Sequence, residues 1–164
     1  QKYMIWYDFS KKKIVNLFNL QGEGPTNFDF CKENGYMAYT IGNDLYVAHE
    51  RDFSSMVNPK VTGNQQQEKD VVYGQAVHRN EFGIMKGTFW SPKGTYLAFY
   101  RMDQSMVTDY PQVNTTARIA ELVPDKYPMA GMTSHKVTVG IYNVKDGKTF
   151  DPAIDGFLHS TPPS

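Results

Sequence analysis

The 164 residues match one domain of typical size, long enough to bury a core. Lysine plus arginine total 17 and aspartate plus glutamate total 17, so no net charge draws the chain to nucleic acid or to an anionic membrane. Aromatic residues make up 14% of the chain, which favours all-β structure, and no apolar run approaches the ~20 residues of a membrane-spanning helix.

The first predicted element is a hairpin. The chain begins at Gln1 without an initiator Met or a leader, so we expect it to be processed or cut from something longer, with any signal peptide already gone. The sequence pattern predicts strands at residues 3–8 and 14–18 and a turn in the polar run between them. The loop at Gly22-Glu23-Gly24 lacks the further glycine and helix of a phosphate-binding loop, so it does not indicate a nucleotide site.

An internal repeat relates residues 30–39 to residues 90–99. Each segment has an aromatic entry, a turn that contains glycine and a Tyr-apolar-Ala-aromatic strand; in the first, Asn34-Gly35 is a strong hairpin signal. Residues 137–148 echo the strand and turn of the first hairpin. Periodic short strands with a repeat predict β-propeller blades.

The length limits this propeller. A closed ring takes ~4–8 blades of ~40–50 residues, so the chain supplies two to three. We therefore predict a partial β-propeller over residues 1–150. Its open edge strands favour pairing between chains, and a homo-oligomer is expected.

Three segments depart from the strand pattern. Residues 51–70 read as one extended polar connection, and residues 103–135 read as a second, irregular excursion. Within the latter, residues 117–123 fit either one helical turn or a strand. Residues 151–164 are rich in proline and are expected to form a loosely ordered tail.

The sequence carries no recognisable catalytic or metal-binding motif. A Gly-x-Ser-x-Gly elbow is absent, and Ser-His neighbours occur only at Ser134-His135 and His159-Ser160. Cys31 is the only cysteine, which excludes an intramolecular disulfide. The four histidines lack metal-ligand spacing and are expected to be isolated or hydrogen-bonded imidazoles: His49, His78, His135 and His159. We therefore predict no catalytic residue, no metal and no cofactor.

The aromatic strand residues are assigned to the core by default, because a neutral chain without a basic stripe lacks the phosphate contacts that dominate nucleic-acid affinity. The residues assigned in this way are Trp6, Tyr39, Trp90, Phe99 and Tyr142.

One carboxylate, Glu81, stands in the turn-prone stretch 77–84, just before an aromatic strand. It fits an exposed ion pair with Arg79 or Lys86, and it equally fits an acceptor for an ammonium group. Composition leaves both readings open.

The sequence runs VYGQAVHRNEFGI at residues 72–84 and KGTFWSPKG at residues 86–94 resemble the N-terminal propeller of the dipeptidyl peptidase IV family, in particular its bacterial branch with the prolyl tripeptidyl aminopeptidases. The resemblance covers residues 1–149, is specific in 72–142, and fades after Thr149. It implies a serine exopeptidase that removes short peptides after proline or alanine. The family's Ser-Asp-His triad lies in a separate α/β-hydrolase domain that these 164 residues do not contain, so the chain alone is expected to be inactive.

The resemblance also gives Glu81 a role. In the family, an acidic residue on a helical insertion binds the α-ammonium of the substrate, and Glu81 matches it. The preceding residue is Asn80, whereas many dipeptidyl members carry a Glu-Glu pair, so release of dipeptides or tripeptides stays open. The resemblance further implies a short helix near residues 74–84, a peptide with a free N-terminus as partner, and a periplasmic, cell-envelope or extracellular location. The alternative is a binding or assembly module without enzymatic function.

Overall fold

The structure, a computed structural model, describes residues 3–19, 24–49 and 69–150. Most of the predicted 51–70 connection and the whole predicted tail at 151–164 lie outside these ranges. The described chain forms twelve strands and one 3₁₀ helix at His78–Gly83. The strands are β1 (Tyr3–Asp8), β2 (Lys13–Asn19), β3 (Thr26–Cys31), β4 (Tyr36–Ile41), β5 (Asp44–His49), β6 (Val71–Tyr73), β7 (Thr88–Trp90), β8 (Tyr96–Asp103), β9 (Asp109–Asn114), β10 (Glu121–Lys126), β11 (Lys136–Asn143) and β12 (Lys148–Phe150).

All pairings between these strands are antiparallel. β1 and β2 form a hairpin, and β3, β4 and β5 form a three-stranded meander. In the third sheet, β6 and β7 pair with successive parts of one edge of β8, β11 pairs with its other edge, and β12 follows. The run β7-β8-β11-β12 is therefore a four-stranded blade, and the hairpin β9–β10 is inserted between its two middle strands. The fold is an all-β partial propeller, as predicted.

The turns that define the internal repeat each precede a central strand and lie against each other. Before β4, the Gly35 amide donates to the Cys31 carbonyl at 3.0 Å, and before β8 the Gly94 amide donates to the Ser91 carbonyl at 2.8 Å. The Asn34 side chain donates to the Gly94 carbonyl and so links the two turns. The sequence repeat thus corresponds to the same strand-turn-strand unit in two neighbouring sheets.

The main core lies between the second and third sheets. Alternate residues of each strand point to opposite faces, so one face of β4 and β5 packs against one face of β6, β8 and β11. The buried residues of this layer are Ala38, Leu45, Val47, Val71, Tyr73, Leu97, Phe99 and Tyr142. A second cluster of buried residues lies on the opposite face of the β3–β5 sheet and consists of Met37, Tyr39 and Ala48. Both faces of β4 therefore carry buried residues.

The predicted core aromatic residues behave as expected where they are described. Tyr39, Phe99 and Tyr142 are buried, and Trp90 packs half-buried against the main core. The side chain of Trp6 lies outside the described part of the chain.

The prediction of an irregular excursion over residues 103–135 is wrong for the two strands that this segment contains. Residues 109–114 and 121–126 pair in continuous register as β9 and β10, which favours the strand alternative for the end of 117–123. Pro111 and Pro124 face each other in this ladder. Neither can donate a backbone hydrogen bond, so both missing donors fall at one register position and the rest of the hairpin is left intact.

The helix predicted near residues 74–84 is present as the 3₁₀ helix at His78–Gly83. In the described ranges, no helix has the length and apolar character needed to cross a membrane.

Candidate functional site

The loop that carries the 3₁₀ helix is held at both ends by one residue of β8. The Gly74 amide donates to the Tyr100 carbonyl, and the Tyr100 amide donates to the Gly87 carbonyl, both at 2.9 Å. A side chain at Gly87 would overlap the backbone of Gln75, so the two ends of the loop run in direct contact. The intervening residues therefore project from a narrow, fixed base.

The helix itself has an unusual backbone. His78, Asn80 and Phe82 have φ angles of 52°, 63° and 57°, in the left-handed region. This conformation costs a residue other than glycine about 1–2 kcal/mol. Val77, just before the helix, is buried, whereas Phe82 is 84% exposed. Contacts with the rest of the fold must therefore hold the helix in this shape.

Glu81 lies in the second half of this helix. The side chains of Glu81 and Arg79 are outside the described part of the chain, so their predicted ion pair and the predicted ammonium contact are untested. The other cation considered for Glu81, Lys86, forms an ion pair with Asp29 of β3 at 3.2 Å.

A polar cavity of about 500 Å³ opens beside the first residue of the helix. Its walls come from the helix start, the end of β8, the end of β10 and the segment that leads into β11. The lining residues are Ala76, His78, Met102, Gln104, Asp125, Lys126, Tyr127, Pro128, Ser134 and His135.

Two histidines from distant parts of the sequence meet in this wall. His135 Nε2 lies 3.0 Å from His78 Nδ1, a hydrogen-bond distance in which one ring donates and the other accepts. Partial burial, together with the neighbouring His78, lowers the pKa of His135. The neutral imidazole of His135 is therefore favoured at neutral pH.

The cations and carboxylates around the cavity have partners in the fold. Lys126 Nζ lies 3.1 Å from a carboxylate oxygen of Asp109 and donates to the Val107 carbonyl at 3.1 Å. Asp125 accepts a long hydrogen bond of 3.5 Å from Gln112. Within residues 3–19, 24–49 and 69–150, no group of three or more His, Cys, Asp or Glu side chains could hold a metal ion.

The His78–His135 contact could not be found from local sequence patterns. The two residues are 57 positions apart, and the hairpin β9–β10 lies between them in the chain. The pairing of β8 with β11 on one edge, and with β6 and β7 on the other, brings them together.

Comparison of the sequence with known protein families identifies the family of this chain. The family model for the dipeptidyl peptidase IV (DPP IV) N-terminal region matches residues 1–162. The chain belongs to the dipeptidyl peptidase IV N-terminal family.

Curated relatives of this DPP IV N-terminal region are dipeptidyl aminopeptidases. Dipeptidyl aminopeptidase B of Saccharomyces cerevisiae is 27% identical over 127 residues, which is 73% of this chain and 15% of that protein. A protein assigned as dipeptidyl-aminopeptidase B in Phaeosphaeria nodorum is 29% identical over 143 residues, or 77% of this chain and 15% of that protein. The chain thus spans a small part of the length of these relatives.

Solved structures of similar proteins support this assignment. A protein of Bacteroides ovatus assigned as dipeptidyl aminopeptidase IV is 47% identical, with a TM-score of 0.71 over 99% of this chain and 20% of that chain. Dipeptidyl peptidase 4 of Porphyromonas gingivalis has a TM-score of 0.72 over 90% of this chain and 21% of that chain; at 24% identity it supports the fold alone. The partial propeller is therefore the architecture of a DPP IV N-terminal region.

Proposed function

We propose that this DPP IV N-terminal region recognises the free N-terminus of the substrate in a post-proline dipeptidyl or tripeptidyl serine exopeptidase, with Glu81 as the acceptor for the α-ammonium group. The observation that carries the proposal is the position of Glu81 on a projecting 3₁₀ helix whose first residue lines a polar cavity. The relatives carry the names of dipeptidyl aminopeptidases, which supports a peptide as the ligand.

The chemistry of the site suits this role. A carboxylate that accepts hydrogen bonds from an ammonium forms a charge-assisted contact, about twice as strong as a neutral one. The cavity of about 500 Å³ falls within the size range of small-ligand sites and has room for the first residues of a peptide. We assign hydrolysis to other parts of the whole protein, since this chain corresponds to 15% of the length of its curated relatives.

Peptide binding to the 164-residue chain tests the proposal. We expect a proline-containing tripeptide with a free N-terminus to bind in calorimetry, and its N-acetylated form to bind at least about tenfold more weakly, because acetylation removes a charged hydrogen bond of about 1.5–3 kcal/mol. Glu81→Gln should weaken binding of the free peptide to the same degree. The control, Glu121→Gln at the exposed start of β10, should leave the affinity unchanged. Equal affinity of wild type and Glu81→Gln for the free peptide would exclude Glu81 as the acceptor.

A second candidate function is self-association, favoured by the outer face of the third sheet. Phe89, Tyr96 and Phe150 are 39–46% exposed there and line an almost wholly apolar depression of about 320 Å³ with Trp90, Ala98 and Ile141. Among the described strands, β12 pairs only with β11, so its other edge is open. Exposed apolar faces and open edges favour pairing with another chain.

Light scattering tests self-association. If two copies meet through this face, Phe89→Lys should shift the chain from dimer to monomer. Phe82→Lys introduces the same charge at a phenylalanine that is 84% exposed on the 3₁₀ helix, outside this face, and should change nothing. A wild-type chain that stays monomeric at high concentration would remove this candidate.

We propose a periplasmic, cell-envelope or extracellular location for the whole protein, because the family resemblance implies it. Fractionation of source cells with an antibody against this region provides the test. Recovery in the cytoplasmic fraction alone would contradict it.

A further inference from the structure

The segment that leads into β11 brings a rigid residue to the start of the 3₁₀ helix. His135 directly precedes β11, whose first residue, Lys136, pairs with Asp103 of β8. From Lys136 to Asn143, β11 pairs with β8 without a break in register. The backbone of His135 is therefore fixed by the largest sheet of the fold, while its ring reaches His78.

The backbone of the 3₁₀ helix is strained, so it needs a contact with the rest of the fold to hold its shape. Three of its five residues other than glycine adopt left-handed φ angles, and the Asn80 amide has a long bond of 3.3 Å to the Val77 carbonyl. Strained backbone persists only where the surrounding structure holds it. The Tyr100 amide and carbonyl fix the base of the loop, at Gly74 and Gly87, and the His135 ring meets the loop at the helix itself.

We infer that His135 is a positioning residue: its hydrogen bond with His78 fixes the 3₁₀ helix, and thereby the backbone of Glu81, relative to the propeller. The consequence for peptide binding rests on the proposed function. The consequence for the helix stands on the geometry of the two rings and the left-handed backbone.

The bond depends on protonation. It persists while one of the two facing nitrogens keeps a lone pair, and it is lost when both carry protons. The other ionisable groups that line the cavity are Asp125, Lys126 and Tyr127. Lys126 is paired with Asp109, and Asp125 accepts a hydrogen bond of 3.5 Å from Gln112. The pKa of His135 is lowered from its usual value near 6.5. The His135 ring therefore keeps the lone pair on Nε2 at pH values where an ordinary histidine is already protonated. The helix is therefore fixed at neutral pH and released as the pH falls through the pKa of His135.

Hydrogen–deuterium exchange of residues 78–83 in the 164-residue chain tests the inference, with rates corrected for the intrinsic effect of pH. We expect protection in the wild type at pH 7.5 that is lost at an acidic pH below the pKa of His135, which is reached by lowering the pH in steps. His135→Leu should lack protection at both values, whereas His135→Gln, whose amide donates and accepts without titrating, should keep it at both. His49→Gln changes a histidine of β5 and should match the wild type.

Two outcomes overturn the inference: protection in His135→Leu equal to the wild type at pH 7.5, or loss of protection in His135→Gln at the acidic pH equal to that of the wild type. Exchange of β8 and β11 in the same samples reports whether each variant folds. If His135→Leu fails to fold, the pH response of His135→Gln still decides.

Peptide affinity separates this inference from the proposed function. If both hold, His135→Leu weakens binding of the free tripeptide by about 2–10-fold, the effect of one lost hydrogen bond, and His135→Gln restores it at pH 7.5. If the wild type fails to bind the peptide, the proposed function is wrong, and the exchange experiment still decides the role of His135. If the peptide binds through Glu81 but His135→Leu releases the helix without weakening binding, the helix does not position Glu81.

Discussion

The ring of Phe99 lies directly on Gly140, its partner in the β8–β11 ladder. A Cβ atom at residue 140 would overlap atoms of the Phe99 ring, so glycine is required by the close approach of the ring. Phe99 is among the most deeply buried side chains and belongs to the core between the two blades. A single absent side chain thus lets a phenylalanine fill the space between sheets.

Gly140→Ala is expected to lower the free energy of unfolding by about 1–3 kcal/mol, because the added methyl group overpacks a filled core. Chemical denaturation of the 164-residue chain measures it. Lys136→Ala, at the exposed start of the same strand, should cost far less. Equal stability of Gly140→Ala and the wild type would show that Phe99 can move aside.

The two blades are also joined by a polar contact at Asp29. Its carboxylate accepts a hydrogen bond of 2.8 Å from the hydroxyl of Thr88, which is buried, and its backbone carbonyl accepts one of 3.0 Å from the indole of Trp90. Thr88→Val keeps the shape and removes the donor. We expect a loss of about 1–3 kcal/mol in the free energy of unfolding, since the carboxylate keeps its desolvation without this partner.

A double-mutant cycle with Asp29→Ala checks the assignment to that pair. The cost of Thr88→Val should shrink when Asp29 is already absent, and Thr95→Val, in an exposed turn, should be near neutral in both backgrounds. Additive costs would show that Thr88 stabilises the fold by packing rather than through Asp29.

The strands and turns of this fold were predictable because their signals are local. Asn34-Gly35 marks a turn by its own backbone preferences, and the repeated Tyr-apolar-Ala-aromatic run marks the strand after it. The hairpin β9–β10 was missed for the opposite reason: its two prolines are unfavourable one at a time and become compatible only when Pro111 faces Pro124.

The candidate site was predictable only in part. The helix and Glu81 lie in one short stretch, so the family resemblance could indicate them together. His135 becomes part of the site through the pairing of β11 with β8, and Asp29 meets Thr88 across 59 positions of sequence. Such contacts follow from the packing of whole sheets, which no short sequence window encodes.

The turn of the first hairpin contains a carboxylate with several donors. Asp8 Oδ1 accepts hydrogen bonds from the Ser10 hydroxyl at 2.6 Å, the Ser10 amide at 2.9 Å and the Lys11 amide at 3.0 Å. The Ser10 hydroxyl first, and then the Lys11 amide, hold the pKa of Asp8 well below its usual range. Because the pKa is lower in the folded chain, these bonds stabilise the turn above the ordinary pKa of aspartate and are lost as the pH falls through the depressed value.

Ser10→Ala should raise the pKa of Asp8 toward the ordinary aspartate value, which carboxyl chemical shifts measure in an acid titration. Ser91→Ala, which removes a hydroxyl from the turn before β8, should leave Asp8 unchanged. An unaltered titration of Asp8 in Ser10→Ala would assign the shift to the backbone amides.

The thiol of Cys31 provides a probe of the contact between the two repeated turns. It is 2% exposed, and burial raises its pKa, so reagents for thiols should label it only when the chain opens.

A side chain at Gly94, which has a φ of +66°, would overlap the Asn34 side chain and Cys31 Sγ. Gly94→Ala should therefore both destabilise the chain and accelerate labelling of Cys31. Gly147→Ala is the matched control, because its φ of +64° imposes a similar left-handed cost of about 1–2 kcal/mol, while a Cβ there would make only an ordinary contact at 3.9 Å with the Tyr142 hydroxyl oxygen. Equal labelling rates in the two variants would attribute the effect to backbone strain and argue against close packing of the two turns.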